Sequence, residues 1–263
     1  DGVQTDVLLV ESTYGDRLHP VEDETERLKT LINETAERKG KLIIPSFAIG
    51  RVEEVLYAIK QLEDSAKVQA LPVYVDSPMA LQALKFYERH AHELDGDIGR
   101  HRGEVSAFCT ARFTPVGTPQ ESREVVERPG PAIVISASGM ATGGRVLHHL
   151  ARALPDPKNT VLFVGFQAAG TRGRHLIEGA KEVKIHGQFI PVNARVEKLN
   201  GMSAHADASE IVRWLKTFPA PPQVTYLVHG EPTAQDTLKT RIVSELAWNV
   251  QVPRHGDRVP VPL

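Results

Sequence analysis

Short runs of aliphatic and β-branched residues alternate along the chain with longer stretches whose apolar positions recur every three to four residues. Residues 6–11 (DVLLVE) are a run of the first kind and read as a strand. Between 24 and 39, Leu28, Leu31 and Ile32 fall at helical spacing, and Gly40 stands where a left-handed residue closes a helix. Residues 42–44 read as a buried strand, and 52–62 as a helix with Val55, Leu56 and Ile59 inward. A strand at 73–75 precedes a helix from about Pro78, with proline in its first turn. Residues 92–128 are polar and irregular and are expected to form a surface excursion. The alternation then resumes: strand 132–135, helix 145–153, strand 161–164, helix 174–180 and short strands at 183–185, 189–191 and 194–199. Asp207-Ala208-Ser209-Glu210 has the form of a capping box before a helix ending near Phe218. Strand 224–228, helix 233–246 and residues 250–252 complete the pattern. Such alternation predicts an α/β fold built on a mostly parallel sheet. No repeat of about 20–50 residues is visible, and the PAPP stretch at 219–222 is a tight connection, not a domain linker.

Composition narrows the function classes. With 263 residues, 41% apolar and 24% charged, the chain has ordinary globular usage and fits one large domain or two small ones. No apolar run approaches the roughly 18–20 residues that span a bilayer, so no membrane span is expected. Asp1-Gly2-Val3-Gln4 shows neither the basic nor the apolar region of a signal peptide. One cysteine, Cys109, forms no internal disulfide and no Cys-rich zinc site; a cytoplasmic location is expected. The net charge of −2 argues against a generally basic nucleic-acid binder, so any anion-binding surface is local.

In α/β sheets, ligands collect at the carboxyl ends of strands, and several ends here carry unusual polar residues. Glu11 directly follows four apolar residues in ESTYG. It is held either for chemistry with a histidine or as a helix N-cap or buried acceptor. Residues 135–145 run from strand through a Gly/Ser loop to helix, and Gly139 and Gly144 have P-loop separation. Arg145 and Val146 stand where lysine and Ser/Thr are required, which excludes an NTPase. The loop remains either an anion cradle or a plain turn. Residues 165–174 repeat the design with Arg172 and Arg174, which suit phosphodiesters or a solvated loop equally. His205 precedes a helix and His229 ends a strand. Each is a candidate general acid or zinc ligand, two roles exclusive for one ring nitrogen. His148 and His149 are expected on a helix surface, His90, His92 and His101 in or beside the polar excursion, and His186 before a glycine turn. His19 and His175 have no assigned role, and His255 belongs to a basic tail.

Seven blocks taken together resemble the β-CASP branch of the metallo-β-lactamase superfamily, which includes RNA-processing nucleases and the mRNA 3′-end cleavage factor. They are ESTYGDR (11–17), IPSFAIGR (44–51), VDSPMA (75–80), SASGMATGGR (136–145), GFQAAGTRGR (165–174), GMSAHAD (201–207) and LVHGE (227–231), in family order and spread over nearly the whole chain. The resemblance implies a zinc-dependent RNA phosphodiester hydrolase, endo- and/or 5′-exoribonuclease, of RNA processing or decay. It implies that His205 protonates the leaving oxygen while Glu11 orients it, and that His229 ligates one of two zinc ions. Such a pair supplies the nucleophile and steadies charge developing on phosphorus. The resemblance further implies a Rossmann-like β-CASP domain, 17–202, inserted in an incomplete metallo-β-lactamase-like αββα domain, 1–16 with 203–263. Asp76, Ser77, Ser136, Ser138, Arg145, Arg172 and Arg174 lie in matching blocks and are candidate contacts to single-stranded RNA.

The family's main zinc motif, HxHxDH, is absent. The chain therefore reads as the C-terminal portion of a longer protein, with His229 the one family zinc ligand present. Zinc is expected to be absent or incomplete in this chain, and hydrolysis by it alone little or none. Loss of the first lactamase-type sheet would expose apolar surface on residues 1–16 and 203–263, so a homodimer, an associated N-terminal portion of the same protein, or aggregation is expected. The alternative for the chain as given is a non-catalytic RNA-binding or scaffold module of a processing complex. A small-molecule or nucleotide-binding α/β domain unrelated to RNA is disfavoured by the failed P-loop and by the lack of a GxGxxG with its ribose acid.

Overall fold

The computed structural model describes residues 2–20, 23–94 and 107–259, and the chain divides into two compact units, 1–21 with 203–263 and 22–202. His101, placed in the polar excursion by the sequence, lies outside the described residues.

The larger unit contains β2 (Lys41–Pro45), β3 (Val73–Asp76), β4 (Phe113–Pro115), β5 (Ala132–Ser136), β6 (Thr160–Val164) and β9 (Arg195–Leu199). They form one wholly parallel sheet in the order β4-β3-β5-β2-β6-β9. The central strands β3, β5 and β6 are buried along their whole length, as continuous apolar runs require when both faces are covered. Alternate residues of β2 divide between the two layers. Leu42 and Ile44 pack with α1 (Glu24–Glu37), α2 (Arg51–Asp64) and α3 (Pro78–Arg89), whose inward residues include Leu28, Leu56 and Leu84. Ile43 packs on the other face with α4 (Pro119–Glu127), α5 (Val146–Ala153) and α6 (Arg172–Ile177) through Val125, Leu150 and Leu176. A hairpin, β7 (Glu182–Ile185) with β8 (Gln188–Pro191), turns at His186-Gly187, both at positive φ.

Three expectations need correction here. The stretch 92–128 is not simply an irregular excursion, because it holds β4 and α4. The Thr118 hydroxyl accepts from the Glu121 N–H at 3.2 Å and the Glu121 carboxylate accepts from the Thr118 N–H at 2.9 Å, with Pro119 in the first turn. T-P-Q-E is a start signal, masked by a helix that buries only Ser122 and Val125. Nor is His149 on the surface: it is buried in the sheet–helix layer. The helix expected at 174–180 begins earlier, because Thr171 caps it by accepting from the Arg174 N–H at 3.2 Å.

The smaller unit has a three-stranded parallel sheet ordered β1-β10-β11, from β1 (Val7–Glu11), β10 (Val224–Val228) and β11 (Val250–Gln251). α7 (Ala208–Leu215) and α8 (Pro232–Leu246) pack on it through Ile211, Leu215, Leu238 and Ile242, with Trp248. Residues past 16 still belong to this unit, since Arg17 O accepts from the Ala208 N–H at 3.1 Å. On β1 Leu9 points into solvent, 64% exposed. No helix among the described residues is long and apolar enough to cross a membrane.

Candidate functional site

The site is assembled in the smaller unit from both ends of the sequence. β1 and β10 run parallel with Glu11 opposite Val228, so the carboxyl end of one strand sets Glu11 beside His229. His229 takes φ +61°, a left-handed conformation uncommon outside glycine. Gly230 follows, and a Cβ there would fall 2.4 Å from Ser12 Oγ. Ser12 Oγ in turn donates to Val228 O at 2.7 Å. The strand end is thus pressed against the turn that follows Glu11.

His205 arrives on the turn before α7. Asp207 caps that helix, accepting from the Ser209 and Glu210 N–H groups at 2.8 Å each, while the Glu210 carboxylate accepts from the Asp207 N–H at 3.0 Å. The other Asp207 oxygen accepts from the His19 N–H at 2.9 Å. Desolvation alone would raise the Asp207 carboxyl, but these three backbone donors outweigh it and hold the group below its ordinary range. His19 Nε2 lies 2.9 Å from His205 O. The Tyr14 ring meets His19 and His205 edge-on, at centroid distances of 5.5 and 6.0 Å.

Ligand-capable atoms of Glu11, His205 and His229 all lie within 4.8 Å of one another. His205 Nδ1 is 3.3 Å from Glu11 Oε1, and Glu11 Oε2 accepts from the Thr13 N–H at 2.8 Å. Thr13 Oγ1 lies 3.1 Å from both His229 Nδ1 and His229 O. Both contacts are satisfied when the hydroxyl donates to the carbonyl and accepts from Nδ1–H. That tautomer leaves the His229 Nε2 lone pair as a metal donor. Likewise, a Nδ1–H of His205 given to Glu11 leaves Nε2 as the ring atom available to a substrate oxygen. A carboxylate and two imidazoles are donors zinc accepts, but they are fewer than the four of a closed site. The three donors can hold a metal in part, and the 3.3 Å contact between Glu11 and His205 can also set an imidazole for proton transfer.

The other sequence candidates lie in the larger unit, several in different roles from those expected. Asp76 and Ser136 have no exposed surface and Ser77 is buried, which disagrees with direct contact to RNA. Ser77 caps α3 by accepting from the Ala80 N–H, and Ser136 Oγ donates to Asp76 O at 2.9 Å. Asp76 Oδ2 accepts from Ser122 Oγ at 2.5 Å and lies 2.7 Å from His149 Nε2; Oδ1 accepts from Arg145 Nη1 at 2.9 Å. Arg145 also donates to Val116 O and Gly117 O. Ser138 Oγ accepts from the Thr142 N–H at 3.1 Å, folding the Gly/Ser loop on itself. Arg172 donates to Lys184 O at 2.7 and 2.9 Å and to Ala141 O, and Arg174 pairs with Glu178 at 2.5 Å. Thr13 and His19 were not singled out by the sequence as site residues. Thr13 sits inside the ESTYG block, where its place between Glu11 and His229 offers a signal in retrospect; the contact of His19 to the 203–207 turn is long-range and leaves no local trace.

Comparison with known proteins matches residues 52–176 to the Beta-Casp domain and residues 190–253 to the Zn-dependent metallo-hydrolase RNA specificity domain. Ribonuclease TTHA0252 of Thermus thermophilus is 35% identical over 259 residues, which is 97% of this chain and 58% of that protein. An RNase J-like protein of Methanocaldococcus jannaschii is 36% identical, covering 98% of this chain and 60% of its own length. The transcription termination factor FttA of Pyrococcus abyssi is 32% identical over 97% of this chain and 40% of its own. The chain thus spans about 40 to 60% of the length of these relatives.

Proposed function

The chain belongs to the β-CASP branch of the metallo-β-lactamase superfamily, and from that premise we propose that it is part of a zinc-dependent ribonuclease. The observation that carries the reading is the convergence of Glu11, His205 and His229 within 4.8 Å, with Nδ1 of each imidazole tied by a neighbour. His205 delivers a proton from Nε2 to the leaving oxygen of an RNA phosphodiester, and Glu11 holds its ring and tautomer through Nδ1. His229, fixed by Thr13, contributes Nε2 to a zinc ion. Zinc, when bound, offsets the charge developing on the phosphate and activates water at neutral pH.

The remaining ligands come from an upstream HxHxDH segment of the same protein, which also covers Leu9 and the open side of the small sheet. The 263-residue chain alone then cleaves RNA slowly or not at all, in keeping with its lack of that motif. The same lack favours, for the chain alone, a second reading as a non-catalytic RNA-binding module. The test measures zinc per chain by elemental analysis and cleavage of a 5′-labelled RNA, for this chain and for the protein with its upstream segment. The proposal expects about two zincs and cleavage only when that segment is present. RNA binding without zinc or cleavage in both samples establishes the binding module instead.

A further inference from the structure

At the amino edge of the six-stranded sheet, three connections meet: residues 38–40 before β2, 128–131 before β5 and 157–159 before β6. Glycine permits the approach. A Cβ on Gly40 would fall 1.9 Å from Lys158 O, and one on Gly130 2.7 Å from Gly40 O. The meeting leaves a cleft of about 390 Å³ whose walls carry Lys39, Lys41, Arg128, Arg152 and Lys158 against two carboxylates, Glu127 and Asp156. This is a local excess of cations on a chain of net charge −2.

The carboxylates only partly offset it. Asp156 is turned to its own loop, accepting from the Lys158 N–H at 3.0 Å, and Glu127 reaches Arg152 at 3.4 Å in solvent. Lys41 Nζ donates to Val125 O and Val126 O at 2.8 and 2.9 Å. Desolvation, with the Arg152 cation nearby, pushes this amine down to about 8. His149 contributes to the wall; its Nε2 is engaged by Asp76, and its buried Nδ1 has no hydrogen-bond partner. The crowded cations are relieved by one bound anion.

We propose that this cleft is a phosphate-binding site, separate from the Glu11–His205–His229 cluster. Its guanidinium groups suit bidentate phosphate contacts and its lysines act as point charges. The phosphates belong either to an RNA strand or to a small polyphosphate. The site does not depend on the ribonuclease reading, since none of its residues belongs to that cluster.

The test is titration of the chain with sodium pyrophosphate by calorimetry and with a labelled oligouridylate by anisotropy. Wild type is compared with Lys39→Gln/Lys158→Gln and with Lys158→Arg. Saturable binding of one of these probes is expected, weakened at least about tenfold by the double substitution and kept within about threefold by Lys158→Arg. Oligouridylate displaced by pyrophosphate, with a salt slope reduced by about 1 per contact removed, identifies RNA as the source. A response to pyrophosphate alone identifies a free polyphosphate. No saturable binding of either probe, or equal binding by wild type and a double variant with unchanged thermal midpoint, overturns the proposal.

Discussion

Replacing Asp76 with alanine removes the carboxylate around which Ser122, Arg145 and His149 are organised. The side chain has no exposed surface and His149 is 1% exposed, so His149 finds no water when its partner is lost; Arg145 keeps 21% of its side chain accessible. Removing one member of a buried charged network costs about 3–5 kcal/mol. The partial access of Arg145 sets the expected loss near the lower end, about 3 kcal/mol. With a urea dependence of about 1–3 kcal/mol/M, the unfolding midpoint falls by about 1–3 M. Two probes separate the units. Both tryptophans, Trp214 and Trp248, lie in the smaller unit, so their fluorescence follows it, while far-UV circular dichroism follows mainly the larger one. The loss should appear in the dichroism transition. It should also depend on pH. Desolvation acts to raise the Asp76 carboxyl, but hydrogen bonds from His149, Ser122 and Arg145 overcome it and leave the folded value lowered. Its stabilisation is therefore complete above the unfolded value, about 3.9, and is lost as pH falls through the folded one. The difference between wild type and Asp76→Ala narrows below pH about 4. A loss under about 1 kcal/mol at pH 7, or a difference that widens in acid, refutes the network account.

Three further outcomes follow from the geometry. Gly15→Ala places a Cβ 2.5 Å from Ala234 O and 2.8 Å from Leu238 Cβ, and should destabilise the smaller unit by about 1–3 kcal/mol in tryptophan-monitored unfolding. Thr13→Val removes the hydroxyl that fixes the His229 ring; in the zinc-loaded protein with its upstream segment, chelator competition should show about 10–100-fold weaker metal affinity, restored by Thr13→Ser. Thr118→Ala removes the cap of α4 and should cost about 1 kcal/mol in dichroism-monitored unfolding.

How much of this was legible depended on whether a residue's partners are local. The central strands announce themselves because burial on both faces makes them continuous apolar runs, as in Ala132–Ser136. The Asp207–Glu210 box was readable because it closes within four residues. α4 was missed although Thr118-Pro119 and Glu121 carry a start signal, since its inward face offers only Ser122 and Val125. Glu11, His205 and His229 stood out as chemistry placed at element ends, but their approach depends on the β1–β10 register, which no local pattern encodes. Asp76 and His149 show the opposite failure. A polar residue type at a strand end or on a helix suggests exposure, and only the packed layer reveals two side chains closed on each other.

If His205 protonates the leaving oxygen, the cost of removing its imidazole follows the leaving group's need for a proton. Cleavage by the zinc-loaded protein with its upstream segment is compared with that of His205→Ala on an RNA, whose ribose leaving group needs the proton, and on a nitrophenyl phosphodiester, whose leaving group does not. His205→Ala should lose about 10²–10⁴-fold on RNA, lose much less on the nitrophenyl ester, and keep its zinc content unchanged. Equal losses on both substrates, or zinc lost with the imidazole, would contradict this role of His205.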